Sequence, residues 1–254
     1  MIKNIILYFG SFNPPHNGHT AVARYVLEAG LCDELWFVVS PHNPLKNDAE
    51  LACGADRLRM TEIAVSERLA GLRVSVCDVE FNLPTPSYTI DTLEYLRKEF
   101  PQYTFSVLAG ADVFEDFGRW KEHRKLLNDY KIYVYPRTGH ALGEYGAAVT
   151  FLPDAPTFDY SSTDVRHRLL DGDDVSGMIS PGVLSYITDN KLWPPMADFY
   201  LERARLHDRN GRMDKALNDY LRAQELDPQN TEAAERIAML REIFAYRYFD
   251  YYNP

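Results

Sequence analysis

The amino-acid sequence predicts an α/β protein with a doubly wound parallel sheet and a small all-α appendage at its C-terminal end. Short apolar runs rich in Val, Ile, Tyr and Leu alternate with amphipathic helical patterns over most of the chain, which is typical of a parallel sheet covered on both faces. After Pro194-Pro195 the pattern becomes entirely helical. The 254 residues are enough for one sizeable domain and an appendage. We therefore predict two domains, 1–195 and 196–254.

The first strand and helix enclose the most informative motif. Ile5 to Phe9 is a short apolar run typical of a buried parallel strand, and a helical pattern follows from about Gly18 to Ala29. His16 and His19 stand at the start of this helix. A helix N-terminus presents free N–H groups and a positive dipole end, which suits phosphate, and Gly18 leaves room for a ligand near the backbone. We expect a nucleotide site here; the alternative is an ordinary strand–loop–helix connection.

A second helix start, in the C-terminal half, has similar chemistry. Ser161 followed by Asp164 is typical of a capping box, and the helical pattern stops at Gly172. The N-terminus of this helix would be a second anion site, where the guanidinium of Arg166 can bind phosphate oxygens. The alternative is an ordinary capped helix with a surface arginine.

Four blocks in the order of the chain resemble one enzyme family. Phe9 to His19 resembles the opening GGTFDPxHxGH motif of the HxGH nucleotidylyltransferases, and Tyr160 to Arg166 resembles their closing ISSTxxR motif. Pro86 to Leu93 is similar to PSYTxDTL, and Leu108 to Asp112, with Trp120 downstream, is similar to IGAD…W. Both of these blocks are typical of the nicotinate-nucleotide adenylyltransferases, so the chain resembles that branch of the superfamily.

Three residues depart from the opening motif of the family. Phe9 stands in place of the first glycine, Ser11 in place of threonine and Asn13 in place of aspartate. Both histidines and the glycine between them are retained.

The resemblance implies a Rossmann-like fold and adenylyl transfer from ATP, with Mg²⁺, to nicotinate mononucleotide. The attacking phosphate is already an anion, so the protein's task is positioning and electrostatic stabilisation. The implied catalytic residues are His16, His19, Lys46 and Arg166. The implied ATP- and phosphate-binding residues are Gly10, Ser11, Phe12, Gly18, Gly110, Asp112, Arg137, Ser161, Ser162 and Thr163. The implied residues for the mononucleotide are Tyr88, Thr89 and Trp120, and no resident metal site is predicted.

Several of these roles have alternatives. Asp112 would hold either a ribose or Mg²⁺, and His42 is an alternative to Lys46 as the basic residue of its loop. Trp120 would stack on the pyridine ring or anchor a helix over 121–127. The acceptor could instead be nicotinamide mononucleotide or another phosphate, and the domain could be a degenerate scaffold for the helical tail.

Composition favours a cytoplasmic enzyme. The net charge of −10 argues against a nucleic-acid binder. Cys32, Cys53 and Cys77 fit neither a zinc spacing nor a disulfide framework, so we expect buried thiols in a reducing compartment. We expect no signal peptide, because 2–9 is typical of a strand, and no membrane span, because no stretch approaches about 20 apolar residues.

The C-terminal region has the residue spacing of a tetratricopeptide repeat, with small residues where two helices pack closely. The matching residues are Ala204, Ala216, Tyr220, Ala223 and Pro228. A third helix is predicted to pack through Ala234, Ile237, Ala238 and Leu240, followed by an aromatic-rich segment, 244–252. These helices make about one and a half repeats, which bury their apolar faces poorly alone. We therefore expect the helices to dock on the catalytic domain, to form a homo-oligomer or to bind a protein partner.

Overall fold

A computed structural model describes residues 2–41, 51–194 and 197–252 of the chain. The described strands are β1 Lys3–Gly10, β2 Glu34–Val39, β3 Val74–Cys77, β4 Tyr103–Gly110, β5 Lys131–Tyr135 and β6 Thr150–Phe151. They form one sheet in the order β3-β2-β1-β4-β5-β6, and all neighbouring strands are parallel. The predicted doubly wound parallel sheet is confirmed.

Helices connect the strands and continue beyond the sheet. In the N-terminal part they are α1 Asn17–Glu28, α2 Gly54–Arg68, α3 Thr89–Glu99 and α4 His123–Asp129. In the C-terminal part they are α5 Ser162–Leu170, α6 Pro181–Asp189, α7 Ala197–Arg209, α8 Met213–Leu226 and α9 Thr231–Tyr252. The predicted helix over 121–127 begins two residues later, at His123, and the first helix begins at Asn17 rather than Gly18.

The central strand β1 is buried on both faces, as its continuous apolar run predicts. Ile5 and Leu7 pack on one side with apolar residues of α3 and α4. Ile6 and Tyr8 pack on the other side with apolar residues of α1. Alternate side chains of a strand point to opposite faces, so one run of apolar residues supplies both cores.

The carboxyl ends of the central strands meet at one edge of the sheet. Gly10 pairs with Val39 between β1 and β2, and Gly110 pairs with Tyr135 between β4 and β5. The loops that follow these strands therefore start side by side, at the edge where doubly wound proteins bind ligands.

The chain divides into two compact units. The first comprises residues 1–165 and 175–192, and the second comprises residues 166–174 and 193–254. The boundary at residue 195 and the assignment to the tetratricopeptide class stay predictions.

The second unit has an apolar core shared by α7, α8 and α9. Ala204, Ala216 and Ala223 are fully buried there, at the positions where the repeat spacing places small residues. The prediction for the third helix is wrong at one residue, because Ala238 is exposed. Ala233 is buried instead, which gives α9 an apolar side with the i, i+4, i+7 spacing of a regular helix.

None of the described helices has both the length and the apolar character needed to cross a membrane. The prediction of three buried thiols is wrong for Cys53, which is exposed, whereas Cys32 and Cys77 are partly buried. Cys53 is exposed because it is the N-cap of α2, where its Sγ accepts a hydrogen bond from the backbone N–H of Asp56.

Gly172, where the helical pattern was predicted to stop, has a left-handed backbone with a φ of 67°. A Cβ atom at this position would lie 1.4 Å from the hydroxyl oxygen of Tyr200, which is itself buried. Within the second unit, this glycine therefore allows α7 to approach the turn that follows α5.

We expect Gly172→Ala to lower the free energy of unfolding by roughly 2–4 kcal/mol, because it adds overlap with Tyr200 to the backbone cost. Gly139→Ala is the matched control: its φ is 83°, but no atom lies within 4 Å of a Cβ there. The control should lose only about 1 kcal/mol. Chemical denaturation measures both values, and equal losses would contradict the importance of the Tyr200 contact.

Candidate active site

The two motif histidines cap the start of α1. His16 is the N-cap residue, and its Nδ1 accepts a hydrogen bond of 3.1 Å from the backbone N–H of Gly18. The Nδ1 of His19 accepts a bond of 3.0 Å from the backbone N–H of His16. Because both Nδ1 atoms are acceptors, each neutral ring has its hydrogen on Nε2. The rings stack with 3.7 Å between their centroids.

His16 is only 4% exposed, and this burial governs its charge. The pKa of His16 is lowered to about 3, chiefly by burial and in smaller part by the charge of Arg137, while Asp164 has the opposite effect. His16 is therefore neutral at neutral pH and can donate a hydrogen bond through Nε2 without bringing a positive charge.

The closing motif lies against the loop that precedes the histidines. The hydroxyl of Ser162 donates a hydrogen bond of 2.8 Å to the carbonyl oxygen of Pro14, and the Tyr160 ring lies 5.3 Å from the His16 ring. Two motifs from opposite ends of the first unit thus meet.

The predicted capping box is present at the start of α5. The backbone N–H and the hydroxyl of Ser161 both donate to Asp164, and the Asp164 N–H donates to the Ser161 hydroxyl. The hydroxyl hydrogens of Ser161 and Ser162 are thus used within the protein, and both side chains fix the helix start. Thr163 lies on the same turn, and Arg166 follows Ser162 by one turn of α5.

Asp112 and Arg137 come together beyond the ends of β4 and β5. The Oδ1 of Asp112 lies 3.7 Å from the Nε of Arg137. Gly110 allows this arrangement, because a Cβ there would lie 2.3 Å from Asp112 Oδ1. The pair places a cation and a carboxylate at the ligand-binding edge of the sheet.

Two tyrosines that the sequence did not single out lie beneath this pair. The hydroxyls of Tyr8 and Tyr135 are 2.9 Å apart. Burial raises the pKa of Tyr135 to about 12 and raises the pKa of Tyr8 well above its usual value, so both stay protonated. A narrow cleft beside them is also lined by His16, Arg137 and Phe158.

The loop after β1 is held in place by the packing of Phe12 and by backbone hydrogen bonds. Phe12 is 2% exposed and packs on Phe37 and on the edge of His19, with ring centroids 5.2 Å and 5.1 Å away. Its side chain therefore supports His19 from the core. The carbonyl oxygens of Gly10 and Ser11 accept hydrogen bonds from the N–H of Ser40 and from Arg57 respectively.

Arg57 holds the loops around this site from inside the protein, and sequence reasoning missed it. It is 1% exposed and donates hydrogen bonds to four backbone carbonyl oxygens. The acceptors are the carbonyls of Ser11 at 2.8 Å, Ser40 at 2.6 Å, Pro41 at 2.9 Å and Ala52 at 3.0 Å.

A signal for Arg57 was present in the sequence. It shares the apolar face of α2 with Met60, Thr61 and Ala64, all of them buried. An arginine on the apolar face of a helix indicates a buried guanidinium, which requires several acceptors.

The predicted pyridine segment forms the start of α3. Tyr88 is the N-cap residue and Thr89 the first helical residue, and no described side chain caps this helix start. Lys121, which sequence reasoning missed, pairs with Asp91 at 2.7 Å and lies 5.0 Å from the centre of the Tyr88 ring. The structure thus brings the residue after Trp120 to the beginning of α3.

Trp120 is partly buried, with its ring 5.3 Å from that of Phe117. Its carbonyl oxygen accepts a hydrogen bond from His123 at the start of α4. This contact fits the alternative that Trp120 anchors a helix, and its partial exposure leaves a stacking role open. Lys46 and His42 lie outside the described residues.

Comparison with known proteins defines first a class and then a family. Residues 7–168 match the family model described as Cytidylyltransferase-like. The "Probable nicotinate-nucleotide adenylyltransferase" of Bacteroides fragilis is 41% identical over 182 residues, which cover 71% of this chain and 89% of that protein. The protein of the same name from Flavobacterium johnsoniae is 34% identical over 190 residues, covering 74% and 97%.

The fold has also been seen in a solved structure. The structure of Plasmodium falciparum nicotinic acid mononucleotide adenylyltransferase complexed with NaAD aligns with a TM-score of 0.62 at 21% identity, covering 75% of this chain and 97% of that one. The chain belongs to the nicotinate-nucleotide adenylyltransferase family, and the resemblance inferred from the four sequence blocks is confirmed.

The burial of His16 predicts an acid-sensitive fold. Between pH 6.5 and about pH 3 the unfolded chain binds a proton that His16 in the folded chain does not, so stability falls as the pH falls. From pH 7 to pH 5, His16 should lower the free energy of unfolding by about 2 kcal/mol. His16→Asn keeps a capping side chain and should remove this loss. Denaturant titrations at both pH values compare the two proteins, and an equal loss in both would contradict the prediction.

Proposed function

We propose that this chain transfers the adenylyl group of ATP to nicotinate mononucleotide, forming nicotinate adenine dinucleotide and pyrophosphate. The observation that carries this proposal is the meeting of the two motifs, where Ser162 binds the Pro14 carbonyl beside the stacked histidines. The family of the chain supports the same reaction.

The chemistry needs no protein nucleophile. A phosphate oxygen of the mononucleotide forms a bond to the α-phosphorus of ATP, and the bond from that phosphorus to the bridging oxygen of pyrophosphate breaks. Negative charge grows on the leaving pyrophosphate, where fixed donors and cations are most effective. We assign the neutral Nε2–H groups of His16 and His19 as donors and Arg137 as a cation, and we retain Lys46 and Arg166 as proposed phosphate ligands.

The start of α3 supports a pyridine carboxylate as the feature recognised on the acceptor. The backbone N–H groups at Tyr88 and Thr89 begin a helix without a described side-chain cap, so they can donate to an anion from the ligand. Lys121 lies beside Tyr88, but it is paired with Asp91, so these two side chains add no net charge. Recognition therefore depends on the backbone N–H groups, which donate more strongly to a carboxylate than to the neutral amide of nicotinamide mononucleotide.

We infer that Mg²⁺ enters with ATP as part of the substrate. In the described part of the chain no group of three or more His, Cys, Asp and Glu residues could hold a metal ion. Mg²⁺ is commonly held by one or two carboxylates together with substrate phosphates, and the partly exposed Asp112 carboxylate fits that requirement. Bound there, the ion would neutralise phosphate charge. The alternative role of Asp112 is to bind a ribose hydroxyl.

We also infer that the protein works in the cytoplasm, where thiols such as the exposed Cys53 stay reduced. The use of the C-terminal helices for a homo-oligomer or a protein partner stays a prediction.

Release of pyrophosphate from MgATP tests the function directly. We expect rapid release with nicotinate mononucleotide and much slower release with nicotinamide mononucleotide, because the latter lacks the carboxylate. His19→Ala should lower the rate by about 100-fold, as the loss of a transition-state donor does. Equal rates with the two acceptors would overturn the specificity. No release with either mononucleotide would indicate that the acceptor is a different phosphate, or that the domain is a scaffold without catalytic activity.

Gly18 offers a test of the histidine geometry. A Cβ added there would lie 2.8 Å from Nδ1 and Cε1 of His16, so Gly18→Ala should displace that ring. We expect a loss in kcat of about 100-fold, because reacting groups tolerate little displacement. Gly146→Ala is the matched control, since the nearest atom, on Leu142, would be 3.7 Å from its Cβ. Wild-type kcat in a folded Gly18→Ala protein would contradict the assignment.

A further inference from the structure

Glu80 is a buried carboxyl group that the chemistry described above does not use. It lies in a 3₁₀ turn, Val79–Asn82, and is 1% exposed. Its Oε1 accepts a hydrogen bond of 2.8 Å from the hydroxyl of Thr92. Burial raises the pKa of Glu80, and the side chains of Ser40, Thr92 and Ser87 oppose this effect.

Hydrogen bonding around Glu80 is incomplete. Among the described residues, neither Glu80 Oε2 nor the hydroxyl of Ser87 makes a hydrogen bond of good geometry, although Ser87 lies close enough to Glu80 to oppose the rise in its pKa. Buried polar atoms without partners reduce stability, and in folded proteins they are concentrated where function requires them. An apolar side chain would serve the core better, so stability alone does not account for a glutamate here.

The contacts of Glu80 join two parts of the site. Ser40 follows β2 directly, and its backbone N–H donates to the carbonyl oxygen of Gly10 at the end of β1. Thr92 lies on the first turn of α3, and its hydroxyl also lies 3.3 Å from the carbonyl oxygen of Tyr88. One carboxyl group thus holds the first turn of α3 through Thr92, and the side chain of Ser40, on the loop beside the histidines, is close enough to lower its pKa.

We propose that Glu80 is a positioning residue that fixes the start of α3 through Thr92 and thereby sets the affinity for the pyridine mononucleotide. The inference rests on the proposed function, since it assigns the N–H groups at Tyr88 and Thr89 to that substrate. Glu80 itself touches no reacting atom. Its effect is therefore confined to one of the two substrates, because ATP is assigned to the other side of the site, at His16 and Arg137.

Steady-state kinetics with each substrate varied separately test the proposal on the full chain. Glu80→Leu removes the acceptor for Thr92 and should raise the KM for nicotinate mononucleotide about tenfold, while the KM for ATP changes less than about twofold. Glu80→Gln retains an acceptor oxygen and should restore the KM to near the wild-type value. Thr92→Val removes the donor at constant shape and should reproduce the effect of Glu80→Leu.

Glu94→Gln is the matched control, because Glu94 lies on the exposed side of the same helix and pairs with Lys125. It should leave both KM values unchanged. If Glu80→Leu fails to fold, as judged by its thermal transition, Thr92→Val decides the question alone.

Two results would overturn the proposal in distinguishable ways. Unchanged KM for the mononucleotide in the folded Glu80→Leu and Thr92→Val proteins, or an equal rise in both KM values, would exclude the positioning role alone. Absence of turnover in the wild-type protein with nicotinate mononucleotide would overturn the proposed function and, with it, this inference.

Discussion

The hydrogen bonds through which His16 and His19 cap α1 are the interaction on which the rest of the site depends. They use the Nδ1 atom of each ring, so the reactive edge of each ring is its Nε2–H edge. The same bonds fix the chain where β1 passes into α1. Gly18 leaves room for the His16 ring, and Phe12 supports the His19 ring from below. A side chain that caps a helix cannot rotate freely. The start of α1 therefore holds the two histidine rings in fixed orientations.

Because burial leaves His16 neutral, positive charge has to come from other elements. Arg137 brings it from the end of β5, where it lies beside Asp112. Placing the cation after β5, while the histidines lie at the start of α1, separates two tasks. The imidazoles give direction through hydrogen bonds, and the guanidinium gives charge. The parallel sheet makes this separation possible, because its strands end at a common edge.

The sequence was sufficient to predict the parts that depend on short-range patterns. The run that forms β1, the helix start at the two histidines and the capping box at Ser161 could all be recognised from local spacing. Family resemblance added the site residues of the distant blocks, although their individual roles stay predictions.

The parts that could not be predicted depend on contacts between segments far apart in the chain. Arg57 reaches carbonyl groups in two different loops, after β1 and between β2 and α2, and the Tyr8–Tyr135 pair joins two strands through side chains. No local pattern specifies such a contact. Ala238 shows a smaller failure, since several alanines in one helix leave its rotation ambiguous until the larger side chains have packed.

The way in which Arg57 holds the loops has a consequence for sequence divergence. It binds the carbonyl oxygens of Ser11, Ser40, Pro41 and Ala52, and every amino acid has a carbonyl oxygen. The amino acids at these four positions can therefore differ between homologues without moving the loop ends, provided that the arginine is kept. Low sequence identity at these loop positions between two homologues would therefore not by itself mean that the backbone geometry of the loops differs. When such a loop is grafted from one homologue to another, the arginine at the position of Arg57 has to be present in the recipient protein.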